Sequence, residues 1–380
     1  MAAEEMLVAA AAEPLEALVR LNLSGRTSGR TLVRLRERFG GLAPAFAASE
    51  QALLRVPGMG PKLVAAIRAS TPGAAAREME RAAREGIQLI GLGHAGYPPQ
   101  LAALDDPPLV LYVRGGLRAD LPLVAVVGSR RATPYGRRMA QRLAAGLAEA
   151  QVGVVSGLAR GIDACAHLAA LQAGGYTVAV LGCGLDHVYP PEHRLLLEQL
   201  AHRGAVLSEL PLGTPPRGYQ FPRRNRVVAG LVGAVCVVEA AARSGSLITA
   251  SWALELGREV LAVPARVGDP NAEGVLGLLR DGAGVACEPA DILRAVGLPV
   301  RSPAVSPPGA PTGPLDEIER GVLAALGTEV RYPDELIEST AFAPTAVLAA
   351  LTRLELKALV QALPGGAYQA CTPLAPAPAG

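Results

Sequence analysis

The sequence predicts an α/β protein with a mainly parallel β-sheet at its centre and a smaller helical module on each side. Five short β-branched or aliphatic runs occur between residues 124 and 238, and helix-like segments separate them. Nearly continuous hydrophobic strands that alternate with helices are typical of a parallel sheet covered on both faces. Each run also ends in a turn that contains Gly, Ser or a charged residue. The five runs are Val124–Val127, Val152–Val155, Thr177–Leu181, Ala205–Leu207 and Val235–Val238.

Length and composition indicate more than one domain. The chain has 380 residues, of which 50% are hydrophobic, which suffices for a substantial core and for two or three domains. Residues 299–314 are rich in Pro, Gly and Ala and carry few charges, which is typical of a linker. We therefore expect an N-terminal helical domain (1–84), a central sheet domain (85–296), a linker (297–314) and a C-terminal domain (315–380).

The N-terminal region is expected to be helical from about residue 7 to residue 70. Between two of its helices lies the segment Val56-Pro57-Gly58-Met59-Gly60-Pro61-Lys62. This order of apolar residues and glycines resembles a helix-hairpin-helix, or SAM-like, motif, in which backbone amides at the start of the second helix face a phosphate. Gly58, Gly60 and Lys62 are therefore candidates for a secondary DNA contact. A compact turn and a protein-docking module remain alternative interpretations.

The residues that follow the five runs are the first candidates for a binding site, because ligands bind beyond the carboxyl ends of parallel strands. Between residues 128 and 226 the chain has 12 Arg, no Lys and 6 Asp or Glu, a local charge of +6, whereas the rest of the chain carries −4. Glycine-rich turns with excess positive charge favour a phosphate ligand. The candidates are Gly128, Ser129 and Arg130, then Ser156, Gly157 and Arg160, then Gly182 and Gly184, and finally Ser244, Gly245, Ser246 and Thr249.

The first of these turns does not match a common nucleotide-binding motif. Thr133 followed by Pro134 predicts a helix start just after it, and a helix N-terminus attracts phosphate. However, the turn lacks the G-x-G-x-x-G spacing, and the chain has no G-x-x-x-x-G-K-[ST] motif. We therefore predict no nicotinamide or adenine nucleotide cofactor.

The helix predicted after the second run has Arg160, Asp163 and His167 at spacings of three and four, so these side chains can share one face. In that arrangement they would add to the phosphate site. Under the alternative interpretation, Asp163 stabilises the first turn of its helix and His167 is a partly buried residue with its hydrogen bonds satisfied. Arg160, at the mouth of the turn, is the strongest functional candidate of the three.

The densest group of candidate residues is the predicted basic loop Phe221-Pro222-Arg223-Arg224-Asn225-Arg226. Three arginines and an amide offer phosphate contacts, and the aromatic ring offers a stacking surface for an unpaired base. A solvated basic loop is the alternative interpretation. Aromatic residues make up only 3% of the chain, so Tyr219 and Phe221 beside this cluster favour the functional interpretation.

Other ligand classes find little support in the sequence. The five cysteines are widely spaced and form no CxxC pair, so we predict neither a disulfide framework nor a metal site. The first residues are acidic, where a secretion signal needs positive charge. The longest uncharged apolar run, Val227–Val238, is too short to cross a bilayer. We expect a cytoplasmic protein without a membrane segment.

The C-terminal domain is expected to contain three helices and a small hairpin, which resembles a winged helix. Apolar residues recur at helical spacing from Ile318 to Leu326 and again from Ala346 to Leu359, and a turn at Pro364-Gly365-Gly366 follows. Winged helices often bind duplex DNA. The second and third helices have few basic residues, so protein docking or autoregulation is at least as well supported.

Taken in order, the motifs of the central region resemble the DNA-processing protein A (DprA/Smf) family. The resemblance extends to about residue 285 and implies an extended Rossmann-like fold. It also implies a non-enzymatic protein that binds single-stranded DNA, displaces single-strand-binding protein, loads the RecA recombinase in natural transformation and forms a homodimer. The motifs are Gly128-Ser129-Arg130, Ser156–Asp163, Leu181–Asp186 with Tyr189-Pro190, Ser208-Glu209, Phe221–Arg226, Val237–Ala240, Ser244–Ala250 and Ala262-Val263-Pro264.

The resemblance assigns the DNA groove to Arg130, Arg160, Phe221, Arg223, Arg224 and Arg226, and Asn225 remains a candidate from its place in the basic cluster. The glycines of the turns would allow backbone amides to approach phosphate. Two positions depart from the family pattern: Ala265 stands where Gly is usual, and Leu276 stands where Asn is usual. These departures leave the arginine positions intact.

An enzyme remains the alternative function. Glu239 and the segment Ser244-Gly245-Ser246-x-x-Thr249 resemble the end of the sheet in phosphoribohydrolases that act on nucleoside monophosphates. In such an enzyme Glu239 would polarise a ribose or a water molecule, and Arg130 would hold the phosphate. Release of a base from a nucleoside monophosphate separates this alternative from DNA binding.

Overall fold

The computed structural model describes residues 13–25, 27–118, 120–300, 315–327, 329–357, 359–363 and 366–370. They form two compact units, one that ends at Val300 and one that follows it. The predicted linker falls largely on residues 301–314, which lie outside the described residues, as do the first twelve residues of the predicted N-terminal domain.

The N-terminal part is helical, as predicted. Side chains at two helix starts satisfy backbone amides: the Ser49 hydroxyl accepts from Ala52 N and the Thr71 hydroxyl from Ala74 N. The helices are α1 (Leu15–Leu23), α2 (Gly29–Phe39), α3 (Leu42–Ala47), α4 (Glu50–Leu54), α5 (Pro61–Ala69) and α6 (Pro72–Arg84).

Nine strands of the described chain form one mixed sheet in the order β1-β2-β6-β5-β4-β3-β7-β8-β9. The five predicted runs are β3 to β7, and every pair among them is parallel, whereas β1 and β2 pair in antiparallel fashion. The order of connections reverses between β3 and β7, which is where a sheet of this kind opens a crevice. The strands are β1 (Gln88–Gly91), β2 (Val110–Gly115), β3 (Leu123–Val127), β4 (Gly153–Ser156), β5 (Thr177–Val180), β6 (Ala205–Ser208), β7 (Ala234–Val237), β8 (Glu259–Ala262) and β9 (Gly284–Val285).

Helices connect the strands, and the start of the helix after β3 confirms the predicted Thr133–Pro134 signal. The Thr133 hydroxyl accepts a hydrogen bond from Gly136 N. The segment expected to be a basic loop at residues 221–226 is instead helical, because Pro222 lies in the first turn, where proline is tolerated. The helices are α7 (Pro99–Ala102), α8 (Pro134–Glu149), α9 (Ile162–Gln172), α10 (Arg194–Arg203), α11 (Gln220–Leu231), α12 (Gly245–Glu255), α13 (Glu273–Arg280) and α14 (Pro289–Ala295).

The N-terminal helices share a hydrophobic core with the sheet. Leu18 and Leu32 belong to the same buried cluster as Tyr112 of β2. Polar contacts join the same parts: Asn22 Nδ2 donates to Glu209 O (3.2 Å), and Glu78 accepts from Leu212 N (2.8 Å). The predicted boundary near residue 84 therefore falls inside one packed unit, between α6 and β1.

The described residues of the C-terminal unit form three helices and a two-stranded hairpin with a core of their own, which confirms the predicted winged-helix architecture. The turn predicted at Pro364-Gly365-Gly366 falls mostly outside the described residues. Glu319 is buried and contacts Arg353 (3.1 Å) and Lys357 (2.6 Å). The elements are α15 (Glu317–Leu326), α16 (Pro333–Ser339), α17 (Pro344–Leu356), β10 (Val360–Ala362) and β11 (Tyr368–Ala370).

Candidate nucleic-acid interface

A cleft of about 820 Å³ opens at the carboxyl edge of the sheet, where the strand order reverses between β3 and β7. A smaller pocket shares its wall around Phe221 and extends towards the end of β5. We call both together the switch-point cleft. The predicted contact residues that line it are Gly128, Ser129, Arg130, Gly157, Arg160, Gly182, Phe221, Arg224, Asn225, Ser244, Gly245, Ser246 and Thr249.

Glycines at the strand ends leave room for the side chains that shape this cleft. A Cβ on Gly157 would lie 2.8 Å from Arg224 Cζ, and a Cβ on Gly182 would lie 2.9 Å from Cδ1 of the Phe221 ring. A Cβ on Gly128 would lie 2.8 Å from a side-chain carbon of Ile162. These positions need glycine because of close packing, since none of the three has a positive φ.

Arg224 is buried in the wall of the cleft and is held by backbone carbonyls. Its Nη1 donates to Gly157 O (2.9 Å) and to Val180 O, and its Nε donates to Asn225 Oδ1 (3.2 Å). Burial lowers the pKa of the guanidinium to about 10, and the nearby Asp163 carboxyl opposes that shift. Arg224 is therefore still a cation at neutral pH, in a fixed orientation.

An aromatic surface lies beside this cation. The Phe221 ring, on the first turn of α11, is 5.3 Å from the Tyr189 ring, centroid to centroid, at an angle of 33°. Arg130 Cζ lies 5.5 Å from the centroid of the Phe221 ring, within the range of a cation–π contact. The arrangement puts an aromatic face next to two guanidinium groups.

The second turn is organised by Asp163, which accepts hydrogen bonds from Gly157 N (3.1 Å) and Ala159 N (3.2 Å). Burial raises the pKa of this carboxyl. His167 is also buried, and its Nδ1 bonds the Thr177 hydroxyl, which itself donates to Val154 O. Both residues are buried and support the local structure. The alternative interpretation is correct in giving them structural roles, but His167 Nε2 has no hydrogen-bond partner among the described residues, and Asp163 satisfies amides of the turn before its helix. Arg160, in the same turn, lines the mouth of the cleft.

Arg160 has an acidic partner in this structure. It is half exposed and forms an ion pair with Glu192, which raises the pKa of the guanidinium. Exposed pairs of this kind are weak, so a phosphate can compete for the arginine.

The far wall of the cleft is the start of α12. The Ser244 hydroxyl accepts from Ser246 N and contacts the Ser246 hydroxyl (2.7 Å). Asn225 Nδ2 donates to Gly245 O (3.1 Å), so this turn is tied to α11. The positive end of the α12 dipole therefore faces the cleft.

The structure corrects four of the predicted contacts, which do not line the cleft. The Ser156 hydroxyl is buried and donates to Val126 O (2.7 Å). Gly184 lies in a turn packed against Asp186 and Pro211. Arg226 is buried in an ion pair with Glu209. Arg223 lies on the side of α11 that faces away from the cleft-lining residues Phe221 and Arg224.

Sequence reasoning missed several residues that line the cleft, and four of them have a polar or aromatic side chain. Arg131 and Arg243 are both exposed, and each adjoins a residue that was predicted, so their positions were the available signal. Tyr189 was noted only as part of a motif. No sequence pattern marked Asn271, because it is 140 residues away from Arg131 in the chain. In the folded protein its Nδ2 donates to Arg131 O (3.1 Å).

The switch-point cleft carries a strong positive charge. Its walls include Arg130, Arg131, Arg160, Arg224 and Arg243, whereas Asp163 is the only acidic residue among the described residues that line it. Such an excess of cations over a low-dielectric wall attracts polyanions.

Glu239 does not face this charge. Its carboxylate accepts hydrogen bonds from Thr133 N (2.9 Å) and from the Thr133 hydroxyl, and a Cβ on Gly136 would overlap it. Glu239 is 3% exposed and does not line the cleft. The carboxylate therefore satisfies the first turn of α8.

The N-terminal segment has the predicted arrangement of two helices, α4 and α5, joined by a tight hairpin turn. Gly58 has φ 79°, and Arg34 Nη1 donates to Pro57 O (3.0 Å) across the turn. Nothing lies within 4 Å of a Cβ placed on Gly60, and Lys62 is exposed. The turn is therefore open to a ligand at Gly60, whereas the Arg34 guanidinium lies against Gly58.

Two further findings concern the described residues as a whole. They contain no group of three or more His, Cys, Asp or Glu side chains placed to hold a metal ion. Over the same residues, no helix has both the length and the apolar character that crossing a bilayer requires.

Comparison with known proteins identifies the family. The family model described as DNA recombination-mediator protein A matches residues 88–297, which is more than half of the chain. The chain belongs to the DprA/Smf family. The model of the DprA winged helix domain matches residues 306–366 and agrees with the second compact unit. The resemblance inferred from the motifs is confirmed.

Relatives in the DprA/Smf family cover most of the chain. Protein Smf of Escherichia coli K12 is 43% identical over 277 residues, which are 71% of this chain and 74% of that protein. The X-ray structure of DNA processing protein A from Streptococcus pneumoniae is 32% identical, with a TM-score of 0.65, over 74% of this chain and 98% of that one. A Helicobacter pylori DprA structure, described as showing a unique single-stranded DNA binding mode, is 31% identical, with a TM-score of 0.50, over 55% of this chain and 94% of that one.

Proposed function

We propose that this DprA/Smf protein is a non-enzymatic recombination mediator that binds single-stranded DNA in the switch-point cleft. The observation that carries the proposal is the convergence of five arginines and the Phe221 ring on one glycine-lined edge of the sheet. The description of the Helicobacter pylori relative as a single-stranded-DNA-binding protein supports the same class of ligand.

The cleft suits a flexible strand because it offers phosphate contacts and stacking at the same place. Arg130 lies beside the Phe221 ring and Arg224 lines the same pocket, so a base that stacks on the ring would bring its phosphates towards both cations. Base–aromatic stacking tolerates any sequence, and phosphate contacts carry no sequence information. The binding is therefore expected to show little base preference.

The enzyme alternative is less well supported by the geometry. A phosphoribohydrolase of this type needs Glu239 to face the ribose, whereas both oxygens of that carboxylate accept hydrogen bonds from Thr133. We therefore assign Glu239 a structural role. Incubation with nucleoside monophosphates tests this choice: release of free base by the wild-type protein, lost in Glu239→Gln, would establish the enzyme instead.

The proposed role in recombination and the proposed partners come from the family resemblance. We propose that the bound strand is protected and passed to the RecA recombinase in the cytoplasm during natural transformation, with displacement of single-strand-binding protein. We also propose a homodimer through the central unit. Val267 and Val285 support it, since both are large, exposed apolar residues near the β8–β9 edge of the sheet, and an open edge favours pairing.

The hairpin residues Gly58, Gly60 and Lys62 are proposed as a secondary DNA contact, because the turn is open at Gly60 and Lys62 is exposed. A Lys62→Gln change should weaken binding of long oligonucleotides slightly and leave binding of short ones unchanged.

DNA binding is tested by titrating labelled oligothymidylate and duplex DNA at several salt concentrations. Arg130→Gln should weaken single-strand binding and reduce the slope of log K against log salt by about 0.7, the value for one lost phosphate contact. Phe221→Leu should weaken it by about 1–3 kcal/mol through lost stacking. Arg84→Gln, an exposed arginine on α6, is the matched control. Wild-type affinity in both cleft variants, with the fold intact, would refute the assignment of the cleft.

The mediator role is tested separately by following the ATPase of RecA on single strands coated with single-strand-binding protein. The wild-type protein should shorten the lag before RecA becomes active, and Arg130→Gln should not. Size-exclusion chromatography with light scattering tests the dimer, which Val285→Arg should dissociate.

A further inference from the structure

An exposed basic strip leaves the switch-point cleft along helix α8. We define the strip as Arg131, which lines the cleft, and Tyr135, Arg138 and Arg142 of α8. All four residues are exposed. The proposed function does not use the last three.

The strip starts at a fixed point on the β7–β8 side of the cleft. Asn271 Nδ2 donates to Arg131 O (3.1 Å), and the Tyr135 hydroxyl donates to Pro264 O (2.8 Å), just beyond β8. Arg160 and Tyr189 lie at the other end of the cleft, beyond β4 and β5. A strand that crosses the cleft from Tyr189 to Arg131 therefore emerges next to Tyr135.

The basic strip continues along one face of α8. Tyr135, Arg138 and Arg142 are separated by three and four residues, so they lie on one face of the helix, opposite the buried face that contains Ala140 and Leu147. Arg138 and Arg142 are one turn apart, about 6 Å along the helix axis. The exposed face ends at Gly146, one turn after Arg142, because Pro289 of α14 packs against α8 there.

The charges of the strip are not compensated within the described residues. Arg131, Arg138 and Arg142 form no side-chain hydrogen bond or ion pair there, whereas Arg160 and Arg226 have acidic partners. Like charges one turn apart on a helix are mildly destabilising. Tyr135 adds a ring that is 40% exposed between these cations. Guanidinium groups interleaved with an aromatic ring form the type of surface that binds unpaired nucleotides.

We infer that single-stranded DNA leaving the cleft continues along α8, with phosphates on Arg138 and Arg142 and a base against Tyr135. This inference rests on the proposed function, because the strip has its role only if the cleft holds a strand. It extends the binding site beyond the cleft and makes the affinity depend on the length of the strand.

The test compares oligothymidylates of about 6 nucleotides, which fill only the cleft, with ones of about 20 nucleotides. The double variant Arg138→Gln/Arg142→Gln should bind the short strand like the wild-type protein. It should bind the long strand more weakly, with a salt slope reduced by about 1.4, or about 0.7 for each lost contact. Tyr135→Ala should weaken only the long strand, by roughly 5- to 150-fold, and Tyr135→Phe should restore most of that loss.

The matched control is Arg77→Gln/Arg84→Gln, which removes two exposed arginines from α6. Thermal melting checks the fold of every variant. Equal affinity of the wild-type protein and the α8 variant for the long strand overturns the inference while leaving the cleft assignment in place. Equal losses on both lengths also overturn it, because the residues would then act within the cleft. A wild-type protein that binds neither strand refutes the proposed function itself.

Discussion

The Gly157→Ala variant tests whether the glycine at the end of β4 is needed to position the Arg224 guanidinium. The backbone tolerates alanine there, because Gly157 does not have a positive φ. The added methyl group would lie 2.8 Å from Arg224 Cζ, whereas ordinary contacts begin at 3.4 Å. Because Arg224 Nη2 lies closer still to the added methyl group, the guanidinium must retreat by at least about 0.6 Å, the difference between these two distances.

That movement of the guanidinium should lower the free energy of unfolding. A retreat of at least about 0.6 Å along the bond from Arg224 Nη1 to Gly157 O would lengthen it from 2.9 Å to about 3.5 Å or more, at or beyond the limit for a hydrogen bond. A hydrogen bond from a charged donor contributes about 1.5–3 kcal/mol, so we expect Gly157→Ala to lower the free energy of unfolding by about 2 kcal/mol. The displaced cation should also lose its phosphate, which reduces the salt slope of single-strand binding by about 0.7.

A double-mutant cycle with Arg224→Met isolates this contact. In the Arg224→Met background there is no guanidinium to displace, so Gly157→Ala should cost less than about 0.5 kcal/mol. Urea unfolding and oligonucleotide titration of the four proteins measure both effects. Equal costs in the two backgrounds would show that the methyl group clashes with something other than Arg224 and would refute the reasoning.

Three further predictions follow from the charged groups. Burial lowers the pKa of His167 to about 3, so between pH 3 and about 6.5 the imidazole gains a proton only in the unfolded chain. The free energy of unfolding should therefore fall as the pH drops through this window, by at most about 1.4 kcal/mol per pH unit. His167→Asn should flatten this pH dependence. Lys357 and Arg353 hold the pKa of the Glu319 carboxyl below its usual value. The C-terminal unit should therefore lose stability as the pH falls through the pKa range of that carboxyl. Calorimetry should find this loss absent in Glu319→Gln. Residues 315–370 contain eight Asp or Glu and four Arg or Lys, and Glu319 forms ion pairs with Arg353 and Lys357. The C-terminal unit alone should therefore not bind duplex DNA in an electrophoretic mobility assay. Tight binding would contradict the protein-docking interpretation.

The strands were predictable because their signal is local. β3 to β7 are runs of buried aliphatic residues between turn-forming residues, and Thr133–Pro134 marks a helix start whatever surrounds it. Parallel pairing then gathers the strand ends at one edge, so Gly128, Gly157 and Gly182 could be assigned to one site.

The orientation of the arginines was not predictable, because it depends on partners far away in sequence. Arg226 was expected in the cleft with Arg224, but the segment is helical, and Arg226 turns inward to Glu209. Glu239 at the end of β7 has the position of a catalytic carboxylate, and only its hydrogen bonds to Thr133, 106 residues away, show that it serves the helix start.

The glycine-lined floor restricts how this protein can change. Positions 128, 157 and 182 accept no larger residue without displacing a neighbour, so new side chains cannot be introduced into the cleft from these strand ends. Variation must come from the exposed rim, where Arg131 and Arg243 can each be replaced without disturbing the packing. Variant libraries designed to change the proposed affinity for DNA should therefore vary the exposed rim residues and keep the three glycines constant.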